Sequence, residues 1–255
     1  MNIFGDKVED LLKGNNTFKK FSLINLGASG AGKTTRSLTA TQFGPILVRD
    51  YDGKLQGCLR QIPESLSDQI DVSKVSRLDC RDWTYEQLLK HTIELKKAAE
   101  KGNLPFATII EDTFTNFSDI IYKSIFPDET KLFERDTMQK WGKVRHRADA
   151  IFSILQSIPC NIIINCHVRE DENGYPIGPE GKGGFRDMLK AKVTDMHYVT
   201  LENGKNMVRV RNSNRPPVNS NVDPKWINPK GFATEFGLKI LGDYAYKLDK
   251  PISTK

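Results

Sequence analysis

An apolar leader segment is not expected: MNIFGDKVEDLLKG carries charges within its first ten residues and has no apolar h-region. No stretch approaches the roughly 18 apolar positions that a membrane-crossing helix requires. A soluble, cytoplasmic protein with no membrane partner is therefore expected. Cysteine is scarce, and Cys58, Cys80, Cys160 and Cys166 are scattered without C-x-x-C spacing or a nearby histidine pair. This disfavours a zinc site and a secreted disulfide framework, and reduced core thiols are expected. Proline is sparse too, 12 in 255 residues, and with 38% hydrophobic content that argues for a folded core over disorder. Internal repeats are absent. The formal charge of +6 makes phosphate polymers attractive partners without selecting any.

What is present is an alternation of short apolar runs and helical stretches. The apolar run FSLIN precedes GASGAGKTT; KTTRSLTATQF reads as a helix ending at Gly44-Pro45; ILVRDYDG reads as a strand running into acidic residues and a turn. A short strand near 75–78, the amphipathic TYEQLLKHTIELKKAAEKG, the strand FATIIEDTF, helices near 117–126 and 138–158, and the strand CNIIINCHVRE follow. Continuous apolar strands of this kind are those of a parallel sheet buried on both faces. Beyond Glu170 comes a glycine-bearing loop, then MHYVTLENGKNMVRVRN, an Asn-Gly hairpin. The tail from Pro216 shows weak structural signals. One domain is expected: a lead-in at 1–20, an α/β core at 21–215 and a tail at 216–255 packed on or extending from it.

Gly27, Gly32, Lys33 and Thr34 fit G-x-x-x-x-G-K-[ST] between a strand and a helix, the context that makes this pattern a phosphate-binding loop. Glycines let the N–H groups of Gly27, Ala28, Ser29, Gly30, Ala31 and Gly32 turn toward phosphates, and the helix N-terminus favours the anion. Lys33 offers a cation to the β- and γ-phosphates, Thr34 a hydroxyl to Mg²⁺, and Thr35 a hydroxyl to the α-phosphate. Asp112, closing the strand in TIIEDTF, is the expected second contact to the metal. Its neighbour Glu111 is either a catalytic base or a strand-end acid facing solvent, since adjacent strand residues point to opposite faces.

The motifs GASGAGKTT, ILVRDYDG, TIIEDTF, KWGKV and NIIINCHVRED resemble those of the single-domain phage nucleotide-binding proteins of RecA-like fold. These are AAA-type proteins that serve as phage recombinases or single-strand annealing ATPases. The resemblance covers roughly 21–215. It implies a RecA-like P-loop NTPase: a mostly parallel sheet flanked by helices, with a C-terminal β-hairpin. It also implies ATP and Mg²⁺ as cofactors, DNA-dependent ATP hydrolysis, single-stranded DNA and a homo-oligomeric ring or filament as partners, and a single-strand-binding protein as a helper. By the same resemblance Asp50 and Asp52 stand beside the γ-phosphate, Asp52 in place of a catalytic glutamate one methylene longer. The other reading of both is that they cap a turn.

His167 matches the polar sensor position, and is otherwise a hydrogen-bonded strand end. VREDENGYPIGPEGKGGFRD matches a DNA-facing loop, with Arg169, Lys182 and Arg186 for phosphates and Tyr175 and Phe185 for stacking. Arg211 or Arg215 matches a cation reaching a neighbouring subunit's nucleotide. The alternative is a cationic edge strand, with Arg209 and Arg211 on one face. Two other functions use the same loop: a small-molecule or nucleotide kinase, although no arginine-rich lid motif is present, and a non-catalytic ATP-dependent switch or loader.

Overall fold

The computed structural model describes residues 19–127, 137–181, 185–211 and 218–248, except the side chains of 137 and 185–187. Its centre is an eight-stranded sheet. In chain order the strands are β1 (Ser22–Gly27), β2 (Ile46–Asp50), β3 (Val75–Asp79), β4 (Thr108–Asp112), β5 (Asn161–Glu170), β6 (Pro176–Pro179), β7 (Asp195–Glu202) and β8 (Lys205–Arg209). Across the sheet they run β3-β2-β4-β5-β1-β7-β8, with β6 added antiparallel to the far end of β5. Along that order the pairings from β3 to β7 are parallel, and the β7–β8 hairpin reverses direction as the β5–β6 pair does. Among the described residues no helix is long and apolar enough to cross a membrane.

The helices are α1 (Lys33–Leu38), α2 (Leu55–Arg60), α3 (Glu64–Ser67), α4 (Tyr85–Glu100), α5 (Phe114–Lys123), α6 (Thr137–Ser157) and α7 (Phe185–Lys192). Helix α4 starts where Thr84 accepts from the Gln87 N–H while the Gln87 side chain accepts from the Thr84 N–H, a reciprocal cap that satisfies both free donors. The expected helix after the phosphate loop is shorter than its apolar pattern suggests: α1 ends at Leu38 and a 3₁₀ segment, Thr39–Phe43, carries the chain to Gly44. Thr39 and Thr41 back-bond to the carbonyls of Arg36 and Leu38, which favours this tighter turn.

Strand alternation divides the core. One face, with Ile24, Leu26, Ile109, Ile162 and Ile164, packs on α4, α5 and α6 through Phe114, Phe117 and Phe152. The other, with Leu23, Val48, Ile110 and Ile163, packs on Leu38, Phe43 and the tail, which contributes Val222, Leu238, Ile240 and Leu241. The tail also runs beside β8, where the Ala233 and Val210 N–H groups donate to Val208 and Gly231.

Candidate active site

The registry of the parallel strands sets the site. Asp50 pairs with Asp112, Asp112 with Asn165, Asn165 with Asn25 and Asn25 with His197, so five polar residues form one row across five strands. All are buried at the carboxyl side of the sheet. Buried polar groups need partners, and α1 supplies partners to Asp112, Asn165, Asn25 and His197. Thr34 Oγ1 donates to Asp112 Oδ2 (2.7 Å), Ser37 Oγ donates to Asn165 Oδ1 (2.7 Å) and accepts from Asn25 Nδ2 (2.9 Å), and Arg36 reaches Asn25 and the His197 ring. Helix α1 is thereby locked over the ends of β1, β4 and β5.

The loop between β1 and α1 is shaped by its neighbours. A Cβ on Gly27 would lie 2.3 Å from the Val199 carbonyl oxygen of β7, so only glycine lets the strands meet there. Gly30 and Gly32 have φ of 76° and 90°, the left-handed region. Lys33, 6% exposed, donates to the carbonyls of Gly27 and Ala28, both at 2.8 Å. Burial lowers its pKa and the Asp112 carboxylate opposes that shift.

Around the loop lies a cavity of about 370 Å³ lined by Gly30, Gly32, Lys33, Thr34, Thr35, Asp52 and His167, with Ser29, Lys54, Cys58, Gln61 and Thr113 completing the wall. Loop cation, helix-start hydroxyls, Asp52 and the β5 histidine thus meet in one space. Burial and the nearby Lys33 cation lower the His167 pKa, keeping the imidazole neutral. The residues fit a divalent cation. Among the described residues Asp112 Oδ1 is buried without a hydrogen-bond partner, while its other oxygen accepts from Thr34. Among the described residues no cluster of three or more acidic, histidine or cysteine side chains forms an all-protein cage. One carboxylate and one hydroxyl beside a phosphate cradle suit Mg²⁺, which keeps several water and phosphate oxygens.

A family model described as an AAA domain matches residues 19–217. The chain belongs to that family. Its fold is that of an α/β P-loop NTPase, a mostly parallel sheet flanked by helices. It is also similar to the crystal structure of the RadB recombinase, at 13% identity over 77% of this chain and 83% of that one, with a TM-score of 0.43. No curated protein matches it.

Two expected site residues of this AAA-family chain lie elsewhere. Asp50 does not face the cavity: Oδ1 accepts from the Gly53 N–H (2.8 Å), and Oδ2 accepts from the Leu55 N–H and from Arg77 Nε (2.8 Å). It caps the turn that presents Asp52. Glu111 is neither beside the cavity nor solvent-facing. It is fully buried on the opposite face, with Oε1 on Arg49 Nη1 (3.0 Å) and Oε2 accepting from the Tyr51 hydroxyl (2.6 Å). Arg49 also meets His91 and Thr92 of α4, so Glu111 ties sheet to helix, with both its oxygens engaged away from the cavity.

The expected basic residues are spread out. Arg169 is exposed at the outer end of β5, where β6 pairs with it, so part of the expected loop is a hairpin. Arg186 lies near the start of α7, and its side chain, like Lys182 and Arg215, is outside the described residues. Strand β8 stops at Arg209, whose guanidinium stacks on Phe232 at 4.3 Å. Arg211 therefore does not share a strand face with it, and its Nη2 donates to the Val222 carbonyl (3.3 Å).

Arg36 had no signal in the sequence beyond its place after the loop. It is fully buried, donates to the Phe236 carbonyl (2.8 Å), and touches Asn25 and His197. Burial pushes its pKa down to about 9, against the favourable Asp195 carboxylate. The His197 ring, held neutral chiefly by burial and also by Arg36, contacts Ser220 Oγ of the tail.

Proposed function

We propose that this chain binds and hydrolyses ATP with Mg²⁺, and that it acts on single-stranded DNA in homologous recombination of the phage type, by annealing or strand exchange. The observation that carries the nucleotide reading is the convergence of Lys33, Thr34, Asp52 and His167 on one cavity, with the orphaned Asp112 oxygen behind Thr34. Thr34 and Asp112 would hold the cation. Bound Mg²⁺-ATP supplies the transferable phosphoryl group and a counter-charge for it.

Lys33, already poised over the loop, exchanges its carbonyl partners for phosphate oxygens. The backbone N–H groups of 27–32 and Thr35 orient the chain of phosphates. Asp52, on the turn capped by Asp50, orients the attacking water and accepts its proton. His167 donates from a neutral ring to the terminal phosphate and reports its presence along β5. That strand runs outward to Arg169, and its hairpin turn carries Tyr175, 58% exposed, a cation and an aromatic suited to a single strand. The chain works as a homo-oligomer in this reading.

A second cleft favours another possibility. About 690 Å³ in volume, it opens beside the same turn and is lined by Tyr51, Arg81, Trp83, Asn116 and Lys123, room for a small phosphate acceptor as in a kinase.

ATP hydrolysis by the wild type and by Lys33→Ala, with and without single-stranded DNA at low and high salt, tests both. Stimulation by DNA that salt weakens and the substitution abolishes supports the recombination reading. Hydrolysis indifferent to DNA, with no DNA bound in the presence of ATP, overturns it and directs attention to acceptors.

A further inference from the structure

The phosphate loop is braced from outside by a residue of the β7–β8 hairpin. Asn206 Nδ2 donates to the Ala31 carbonyl at 2.9 Å. The carbonyl of Ala31 and the N–H of Gly32 belong to one peptide unit, and in a trans peptide they point in opposite directions. A carbonyl held outward on Asn206 turns the Gly32 N–H the other way, toward the cavity that Gly32 lines.

The same spot explains why position 32 is glycine beyond its φ of 90°. A Cβ there would sit 2.9 Å from Asn206 Nδ2 and 3.1 Å from Cζ of Phe236. Phe236 is itself fixed, since its carbonyl accepts from Arg36 Nε and the Leu238 N–H two residues on donates to Thr39 Oγ1 (2.9 Å). The peptide is thus held by a hydrogen bond from β8 and walled by an aromatic ring from the tail.

We infer that Asn206 is a positioning residue for phosphate recognition: it fixes the orientation of the 31–32 peptide so that the Gly32 N–H is presented to the β-phosphate of a nucleoside di- or triphosphate. This rests on the nucleotide-binding reading above. Without Asn206 the peptide is free to rotate, and an inward carbonyl would oppose an anion. An N–H bond to a charged phosphate is among the stronger hydrogen bonds. Its loss is expected to weaken ADP binding about tenfold or more, while AMP, which has no β-phosphate, is affected little.

The test is titration of the full chain with ADP and AMP in the presence of Mg²⁺, for the wild type, Lys33→Ala, Asn206→Asp and Asn206→Ala, with thermal unfolding of each. Asn206→Asp keeps the size and removes the donor; Asn206→Ala guards against a fold lost to the new charge. Weaker ADP binding at unchanged AMP binding, in a variant that unfolds near the wild-type temperature, supports the role. A lowered unfolding temperature with the ADP-to-AMP preference intact shows a merely structural contact and overturns it, as does wild-type ADP affinity in a folded variant. If the wild type fails to bind ADP, or Lys33→Ala binds it as tightly, the nucleotide reading itself falls.

Discussion

Two acidic pairs of neighbours, Asp50 with Asp52 and Glu111 with Asp112, show how differently the same side chain behaves a residue or two apart. Burial pushes the Asp112 carboxyl up to about 6, the Thr34 hydrogen bond opposing and the Asp52 and Asp50 carboxylates adding to the rise. Its pKa in the folded chain thus lies above the 3.8 of a free aspartate side chain. Between those values the folded state holds a proton that the unfolded state releases, so stability falls as pH rises from about 4 to 6. The full penalty above that window is about 3 kcal/mol. Asp112→Asn, which still accepts from Thr34, is expected to raise stability by this order at pH 7 and by little at pH 4, read from urea unfolding at both. The same variant is expected to lose Mg²⁺-dependent nucleotide binding if Asp112 holds the cation. Glu111 and Asp52 separate in the opposite way. Removing Glu111 leaves the Arg49 cation buried and unpaired, so Glu111→Ala is expected to cost about 3–5 kcal/mol. Among the described residues the ion-pair partner of Asp52 is Lys54, whose side chain is 69% exposed. Asp52→Asn should therefore shift stability by no more than about 0.5 kcal/mol, while turnover falls about 100-fold or more. A normal turnover rate in Asp52→Asn would remove the residue from the mechanism.

At the scale of the elements, the contact between β1 and β7 is the tightest constraint on the loop. Gly27→Ala would force the Val199 carbonyl away from a Cβ placed 2.3 Å from it. The strands must separate, and a loss of about 3 kcal/mol is expected, measured as a lower urea midpoint, together with weaker nucleotide binding. The strands themselves were legible because burial on both faces leaves unbroken apolar runs such as Ile162–Ile164 in β5, and the phosphate loop because its spacing is local. The strand-end position of Asp112 could be read because it closes such a run. The roles of Asp50 and Glu111 could not, because they depend on which strand lies beside β2 and on the register of Arg49 with Glu111 and of Asp50 with Asp112. The polar row from Asp50 to His197 is equally hidden: it joins residues far apart in the chain, and only the strand order β2-β4-β5-β1-β7 aligns them. Strand β6 went unread inside a glycine-bearing loop because its prolines, Pro176 and Pro179, argue against a ladder everywhere except at an edge, which is where it lies.

For the molecule as a whole, the decisive question is whether the segment matched by the family model stands alone. That match ends at 217, yet the core does not. Val222, Phe232, Leu238, Ile240 and Leu241 of the tail are each no more than 4% exposed and fill one side of the sheet with Leu23, Val48 and Ile163 or cover the edge at β8. Burying side chains of this size contributes about 1.5–3 kcal/mol apiece. Together they approach the whole net stability of a typical domain, about 5–15 kcal/mol. The tail also supplies the Phe236 carbonyl to the buried Arg36 guanidinium, and removing it would leave that charge short of a partner. A chain ending at 217 is therefore expected to lose cooperative urea unfolding and to expose the apolar face of its sheet, binding hydrophobic dyes that the full chain excludes. Restoring the tail only as far as 235 should not rescue it, because Phe236, Leu238, Ile240 and Leu241 would still be missing. A soluble 1–217 chain with a sharp unfolding transition would show instead that the sheet and its α4–α6 layer fold without the tail, and that its burial serves the nucleotide loop and not the fold.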